Sequence, residues 1–250
     1  MSPTVTTGDF ILAGKLKYGA RIFTSLKFDR YNAPLIKRIH GLGSVHRGDV
    51  MVFNFPYQEY HAAWDTIRMN LSLFLVKRCI GLPGDSLSIV NGFYRITGIA
   101  DTIGYIPGQQ QFAHYSANLD STRLCTIPFD SAFQWNSVNF GTFYIPATGT
   151  TIPLTPENYI LYNKQIVYET KSSLIFKDSA VFINDTISLE YTFRRNWYFM
   201  AGDNVMNSQD SRYIGLIPED YIIGQASLIL SSKDMYTGKY KWKRFFKKIK

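Results

Sequence analysis

An apolar approach, Trp197-Tyr198-Phe199-Met200, runs directly into twelve residues rich in turn formers and hydrogen-bonding side chains, Gly202-Asp203-Asn204-Val205-Met206-Asn207-Ser208-Gln209-Asp210-Ser211-Arg212-Tyr213. This junction restricts the fold more than any other part of the chain. Gly, Asp and Asn suffice to turn a backbone. A turn has no need of the Ser-x-Asp-Ser-Arg run that follows them, whose polar ends must find partners wherever they are buried. The segment therefore reads as a strand delivering a built site.

Two other segments join a β-rich run to a Gly/Asp turn: Arg47-Gly48-Asp49-Val50-Met51-Val52-Phe53, and Val76-Lys77-Arg78-Cys79-Ile80-Gly81-Leu82-Pro83-Gly84-Asp85. Pro3-Thr4 and Gly8-Asp9 stand near the start. Taken in order, these blocks resemble the conserved boxes of the type I signal peptidases, or leader peptidases, the bacterial membrane-bound serine proteases that work with a Ser/Lys dyad. The resemblance covers roughly residues 1–97 and 196–230.

The first box of that family reads Ser-Met-x-Pro-Thr, whereas this chain begins Met1-Ser2-Pro3-Thr4. The resemblance thus puts the nucleophilic serine just before Met1. Ser2 does not replace it. In an extended segment it sits two positions along, roughly 6.6 Å at about 3.3 Å per residue, while a nucleophile and its base need about 3 Å. We expect a truncated start, or an internal methionine taken as the start, which also accounts for the membrane anchor the family carries upstream of the serine. As it stands the chain is expected to bind peptides without cutting them. A non-catalytic peptide-binding homologue is the alternative. A self-cleaving Ser/Lys repressor relative would need a helix-turn-helix domain and an internal cleavage site, and neither is visible.

Lys77 is the candidate general base. A free lysine, with a pKa of about 10.4, is a poor base near neutrality unless burial disfavours the ammonium. If Leu71 to Ile80 is a strand, Lys77 shares its face with Leu71, Leu73, Leu75 and Cys79, with no carboxylate among them. A lone strand lysine has a blander use, deterring edge-to-edge aggregation; the neighbouring boxes favour the base. The resemblance implies that Ser208 accepts a hydrogen bond from Lys77 and fixes its direction, so the two form the catalytic set of this chain. It also implies a supporting group of Arg78, Asp203, Asn204, Asp210 and Arg212. Arg78 points away from Lys77, and pairing it with Asp210 is expected to tie two boxes together. The substrate is expected to add as a β-strand and to be cut after small side chains in the Ala-x-Ala pattern. By box position Met1, Val5, Phe74 and Val76 are the residues expected to bind it.

At 250 residues, with 46% hydrophobic and 16% aromatic content, the chain can bury a sizeable core. Two cysteines, Cys79 and Cys125, and four histidines, His40, His46, His61 and His114, show no disulfide framework or metal-ligand spacing. No metal and no cofactor is expected. Of the 27 Lys and Arg, eight fall in residues 233–250 against a single Asp. There Trp242, Phe245, Phe246 and Ile249 recur at helical spacing among the cations, which reads as a basic amphipathic helix for an anionic lipid surface and not for nucleic acid. No stretch reaches the eighteen or so apolar residues of a spanning helix.

The fold class expected is mostly β, a signal-peptidase-like β-rich catalytic core with an inserted α+β second domain. Residues 1–97 plus 196–232 would form the core, 98–195 the insertion and 233–250 the tail. Strands are expected at 9–13, 49–55, 71–80 and 86–97, with Asn91-Gly92 turning a hairpin. Helices are expected from Gln58 to Ser72 and from Thr155-Pro156 to about Thr170. Pro107-Gly108 and Pro146 to Pro153 read as turns, and 173–192 as a strand pair. The function implied is removal of N-terminal signal peptides from exported preproteins, at the periplasmic or outer face of the bacterial inner membrane.

Overall fold

The structure is a computed structural model and describes residues 1–23, 36–58, 66–117 and 124–250. The chain opens with β1 (Asp9–Gly14), β2 (Arg21–Phe23), β3 (Ile36–Arg38), β4 (Val50–Asn54), β5 (Phe74–Gly81), β6 (Ser86–Val90) and β7 (Phe93–Ile96). A middle stretch holds α1 (Ile106–Ser116), β8 (Phe140–Tyr144), β9 (Thr151–Pro153), α2 (Pro156–Thr170), β10 (Leu174–Lys177), β11 (Ala180–Ile183), β12 (Thr186–Ile187) and β13 (Glu190–Thr192). It closes with β14 (Trp197–Ala201), α3 (Ser211–Ile214), β15 (Ile217–Pro218), β16 (Ile222–Ser232) and β17 (Lys247–Lys248). The architecture is mostly β.

The main sheet has seven strands in the order β1-β16-β4-β5-β14-β15, with β17 also paired to β16. Sequence-distant strands are thereby made neighbours, and Met51 of β4 lies opposite Lys77 of β5. Every residue of β14 is buried. A strand covered on both faces can be apolar without alternation, as Trp197-Tyr198-Phe199-Met200 is. Its Phe199 ring packs edge-on against Tyr94 and Phe140, so the hairpin β6–β7 and strand β8 share one core with the main sheet. β8 pairs with β6, so a division after residue 97 passes through a three-stranded sheet.

Several expectations hold in detail. The β6–β7 hairpin turns at Asn91 and Gly92, both at positive φ, 51° and 83°, as a two-residue turn requires. Helix α2 starts after Thr155, whose hydroxyl accepts from Asn158 N at 3.2 Å, with Pro156 in its first turn. Cys79 is a buried strand residue and is not in a disulfide.

Others need correction. The helix expected from Gln58 to Ser72 is absent from 66–72, and 59–65 lies outside the described residues. The backbone donors of Arg68 and Asn70 go to Pro56 O and Phe55 O, and the Asn70 carboxamide accepts from Ser72 N and Leu73 N. That asparagine turn delays the start of β5 from residue 71 to Phe74. Pro107-Gly108 opens α1 instead of a turn, since proline in a first helical turn gives up no hydrogen bond. The tail is not an amphipathic helix. It consists of turns, a short 3₁₀ turn at Trp242–Arg244 and a short strand, in which Lys247 and Lys248 pair with Ile229 and Leu228 of β16. The open flank of β16 offers hydrogen bonds that a free helix would not gain. Among the described residues no helix is long and apolar enough to cross a membrane.

Candidate active site

Three elements meet around Lys77. β5 carries Lys77 and Arg78 on opposite faces. β14 ends beside them at Ala201, which is paired with Arg78. The loop leaving β14 makes a 3₁₀ turn at Val205–Asn207 and returns an extended Ser208 toward β5. The Lys77 amine, buried with 8% of the residue exposed, donates to Ser208 Oγ at 3.0 Å. Burial pushes its pKa below the ordinary lysine value; Asp210 and Asp203 pull it back up, while Arg212 adds to the lowering. Carboxylates therefore do act on Lys77, contrary to what the strand face alone suggested, but each is already held by an arginine.

Gly202 makes this approach possible. A Cβ built there would lie 2.1 Å from Ser208 Oγ, 2.7 Å from Ser208 Cβ and 3.5 Å from Lys77 Nζ. The hydroxyl occupies the space a side chain would need. Gly202 N–H meanwhile donates to Asp210 Oδ2 at 3.0 Å, fastening the two ends of the loop. Nothing in the sequence distinguished this close packing from an ordinary turn glycine.

Arg78 does not pair with Asp210. It grips Asp203 through two parallel bonds, Nε to Oδ1 at 2.8 Å and Nη2 to Oδ2 at 2.7 Å. Asp210 is engaged elsewhere. It caps α3, accepts from Arg212 Nε at 2.8 Å and Nη2 at 2.9 Å, and shares with Arg212 a fully buried position. Burial alone would raise the Asp210 carboxyl; the adjacent Arg212 guanidinium outweighs it and holds the group below the usual range, and Asp210 in turn raises Arg212. Asn204 begins the 3₁₀ turn, its carbonyl accepting from Asn207 N at 3.0 Å.

The N-terminal segment docks on the same cluster. Thr4 donates its hydroxyl to Asp203 Oδ2, a role the Pro3-Thr4 motif had not disclosed. Burial, and then the charge of Lys77, lower the pKa of the Met1 α-amine. Ser2 is exposed. Met1, Val5 and Val76 are partly buried, and Phe74 is 52% exposed. Phe74 and Val76 lie on the strand face opposite Lys77. β14 pairs with β5 only from Arg78 onward, while β4 covers Phe74 to Arg78 on the other side. Among the described residues no strand pairs with Phe74–Lys77 on the side where β14 ends, so that stretch of β5 has a strand neighbour only in β4.

The family model for signal peptidase, peptidase S26, matches residues 1–231. The chain belongs to this family. Among curated relatives, a signal peptidase I of Buchnera aphidicola is 27% identical over 237 residues, covering 92% of this chain and 66% of that one. A signal peptidase I of Pseudomonas fluorescens is 23% identical over 246 residues, covering 93% and 62%. This chain thus spans a little under two thirds of their length. A solved signal peptidase I from Enterococcus faecalis aligns at TM-score 0.33 and 18% identity over 74% of this chain and 98% of that one, too loosely to argue from.

Proposed function

We propose that the chain is the catalytic part of a serine endopeptidase that removes signal peptides from exported preproteins, with Lys77 as general base and Ser208 as the hydroxyl that aims it. One observation carries this reading: a buried, charge-disfavoured amine held at 3.0 Å from a serine hydroxyl. An amine whose charged form is disfavoured by burial takes a proton from an attacking hydroxyl more readily than a solvated ammonium can. The attacking hydroxyl in this reading is the serine that the family's Ser-Met-x-Pro-Thr box carries ahead of the methionine, and the docking of Thr4 on Asp203, which Arg78 holds, supports a first box lying against the site.

The substrate enters as an added strand along Phe74–Lys77, where backbone pairing gives affinity and small pockets lined by Met1, Val5, Phe74 and Val76 select small side chains. Arg78, Asp203, Asn204, Asp210 and Arg212 hold the loop and take no part in bond making. The protein works at the outer face of the bacterial inner membrane. The exposed aromatics of the tail, Trp242 and Phe246, each 71% exposed among lysines, support a contact with an anionic bilayer.

The test uses protein carrying serine at the position before Met1 and a preprotein substrate. Cleavage after an Ala-x-Ala site, lost in Lys77→Met, supports the reading. Cleavage that survives Lys77→Met removes Lys77 from the mechanism, and peptide binding without cleavage in the serine-bearing protein favours a non-catalytic binder.

A further inference from the structure

We propose that Arg244, in the C-terminal segment, is a positioning residue for the reacting hydroxyl: it fixes the segment from Met1 to Asp9 against the site, 235 positions away in sequence. The inference rests on the catalytic reading above. Residues 1–8 belong to no strand. Their backbone is closed by local bonds, Val5 N to Met1 O at 3.1 Å and Asp9 N to Thr6 O at 3.0 Å, and is joined to the sheet at Gly8, whose carbonyl accepts from Lys233 N. Between Met1 and Thr7 the placement therefore depends on side chains.

Arg244 supplies the outer grip. Its Nε donates to Asp9 Oδ1 at 2.9 Å and its Nη2 to Asp9 Oδ2 at 2.5 Å, and Nη2 also donates to the backbone carbonyl of Thr4 at 3.0 Å. Asp9 has a wholly buried side chain and Arg244 one that is 17% exposed, so water competes little for this pair. The inner grip falls on the same residue: the Thr4 hydroxyl bonds to Asp203, which Arg78 holds. Thr4 is thus pinned through its carbonyl by Arg244 and through its hydroxyl by the site cluster, three residues from Met1. The tail is itself anchored by pairing with β16 and by its Lys250 carbonyl, which accepts from Arg78 Nη2 at 3.1 Å. A bidentate arginine on a buried carboxylate is a rigid joint, which a lysine point charge would only partly replace. Lys241, which meets Asp234 at 3.4 Å with about a third of each side chain exposed, has no such reach.

The experiment uses the full serine-bearing protein and compares Arg244→Gln, Arg244→Lys and Asp9→Asn with Lys241→Gln. Loss of the joint should lower kcat roughly 10- to 100-fold, as a misplacement of about 1 Å does, with KM changed less than about twofold because the β5 edge on which the substrate is proposed to add is intact. Arg244→Lys should recover part of the loss, and Lys241→Gln should match wild type. Amide hydrogen exchange should quicken in residues 2–7 while β4, β5 and β14 keep their protection. Wild-type kcat in both Arg244→Gln and Asp9→Asn would overturn the inference, as would exchange that quickens equally across the main sheet. If even the unsubstituted protein fails to process a preprotein, the catalytic reading falls instead, and the exchange arm still decides whether Arg244 holds the segment.

Discussion

Replacing Gly202 by Ala tests the geometry on which the candidate site depends. The new methyl would sit 2.1 Å from Ser208 Oγ and 2.7 Å from Ser208 Cβ, so rotating the hydroxyl away relieves only the first contact. Cβ is fixed to the backbone, and the loop itself must yield. Overpacking of this kind costs about 2 kcal/mol, or about 4–8 °C in melting temperature for a chain of this size. The loss in catalysis should be larger. A shift of about 1 Å in the hydroxyl that aims Lys77 is expected to lower kcat by about 100-fold. The assay is preprotein processing by the serine-bearing protein, read as kcat and KM beside a thermal melt. Adding Ser208→Gly removes both crowding atoms, so the double variant should melt near wild type yet remain slow. Unaltered kcat in Gly202→Ala would refute the argument, because it would mean that Ser208 does not occupy the space the structure gives it.

Other perturbations address separate parts of the account. Burial lowers the pKa of Lys77 in the folded chain, so between that lowered value and the ordinary 10.5 the unfolded chain binds the extra proton and stability rises with pH. Lys77→Met should therefore abolish processing yet melt at or above wild type at pH 7, with the difference narrowing as pH approaches 10.5; a clear drop in melting temperature would contradict the penalty that burial places on the charged amine. Asp210→Asn leaves Arg212 as an unpaired buried cation and should cost on the order of 3–5 kcal/mol in a denaturant titration, whereas a loss under about 1 kcal/mol would mean the pair is solvated. Asp9, burial notwithstanding, is held at about 2 by its hydrogen bonds to Arg244, so the stability it contributes is complete above the ordinary 3.8 and is lost as pH falls toward 2. In Arg244→Gln an NMR titration should find the Asp9 carboxyl raised. Trp242→Ala with Phe246→Ala should weaken sedimentation with anionic vesicles without altering the melt; undiminished vesicle binding would remove the tail from the membrane contact.

Local chemistry made part of this site legible. Strand alternation separated Lys77 from Arg78 and predicted an apolar setting for the amine, because a period of two is imposed by the backbone itself. Asn91-Gly92 and Thr155-Pro156 marked a hairpin and a helix start, since each satisfies a backbone demand within a few residues. The partner of Arg78 was not legible. Asp203 and Asp210 stand in one loop, and the choice follows from Asp210 being taken up as the cap of α3 and the acceptor of Gly202 N–H. The tail misled for a related reason: aromatic residues three and four apart suit a helix, but the open flank of β16 that captures Lys247 and Lys248 lies elsewhere in the sequence. Contacts such as Thr4 with Asp203 and Arg244 with Asp9 span 199 and 235 positions, and only a folded sheet brings such ends together.

The most direct test of the account is the titration of the Lys77 amine itself, followed by nitrogen NMR in lysine-labelled protein and assigned by its disappearance in Lys77→Met. The account predicts that the Lys77 amine loses its proton below the exposed lysines, at the same pH as the acid limb of kcat/KM for preprotein cleavage. A Lys77 that titrates together with the surface lysines, near their ordinary value of about 10.4, would contradict it.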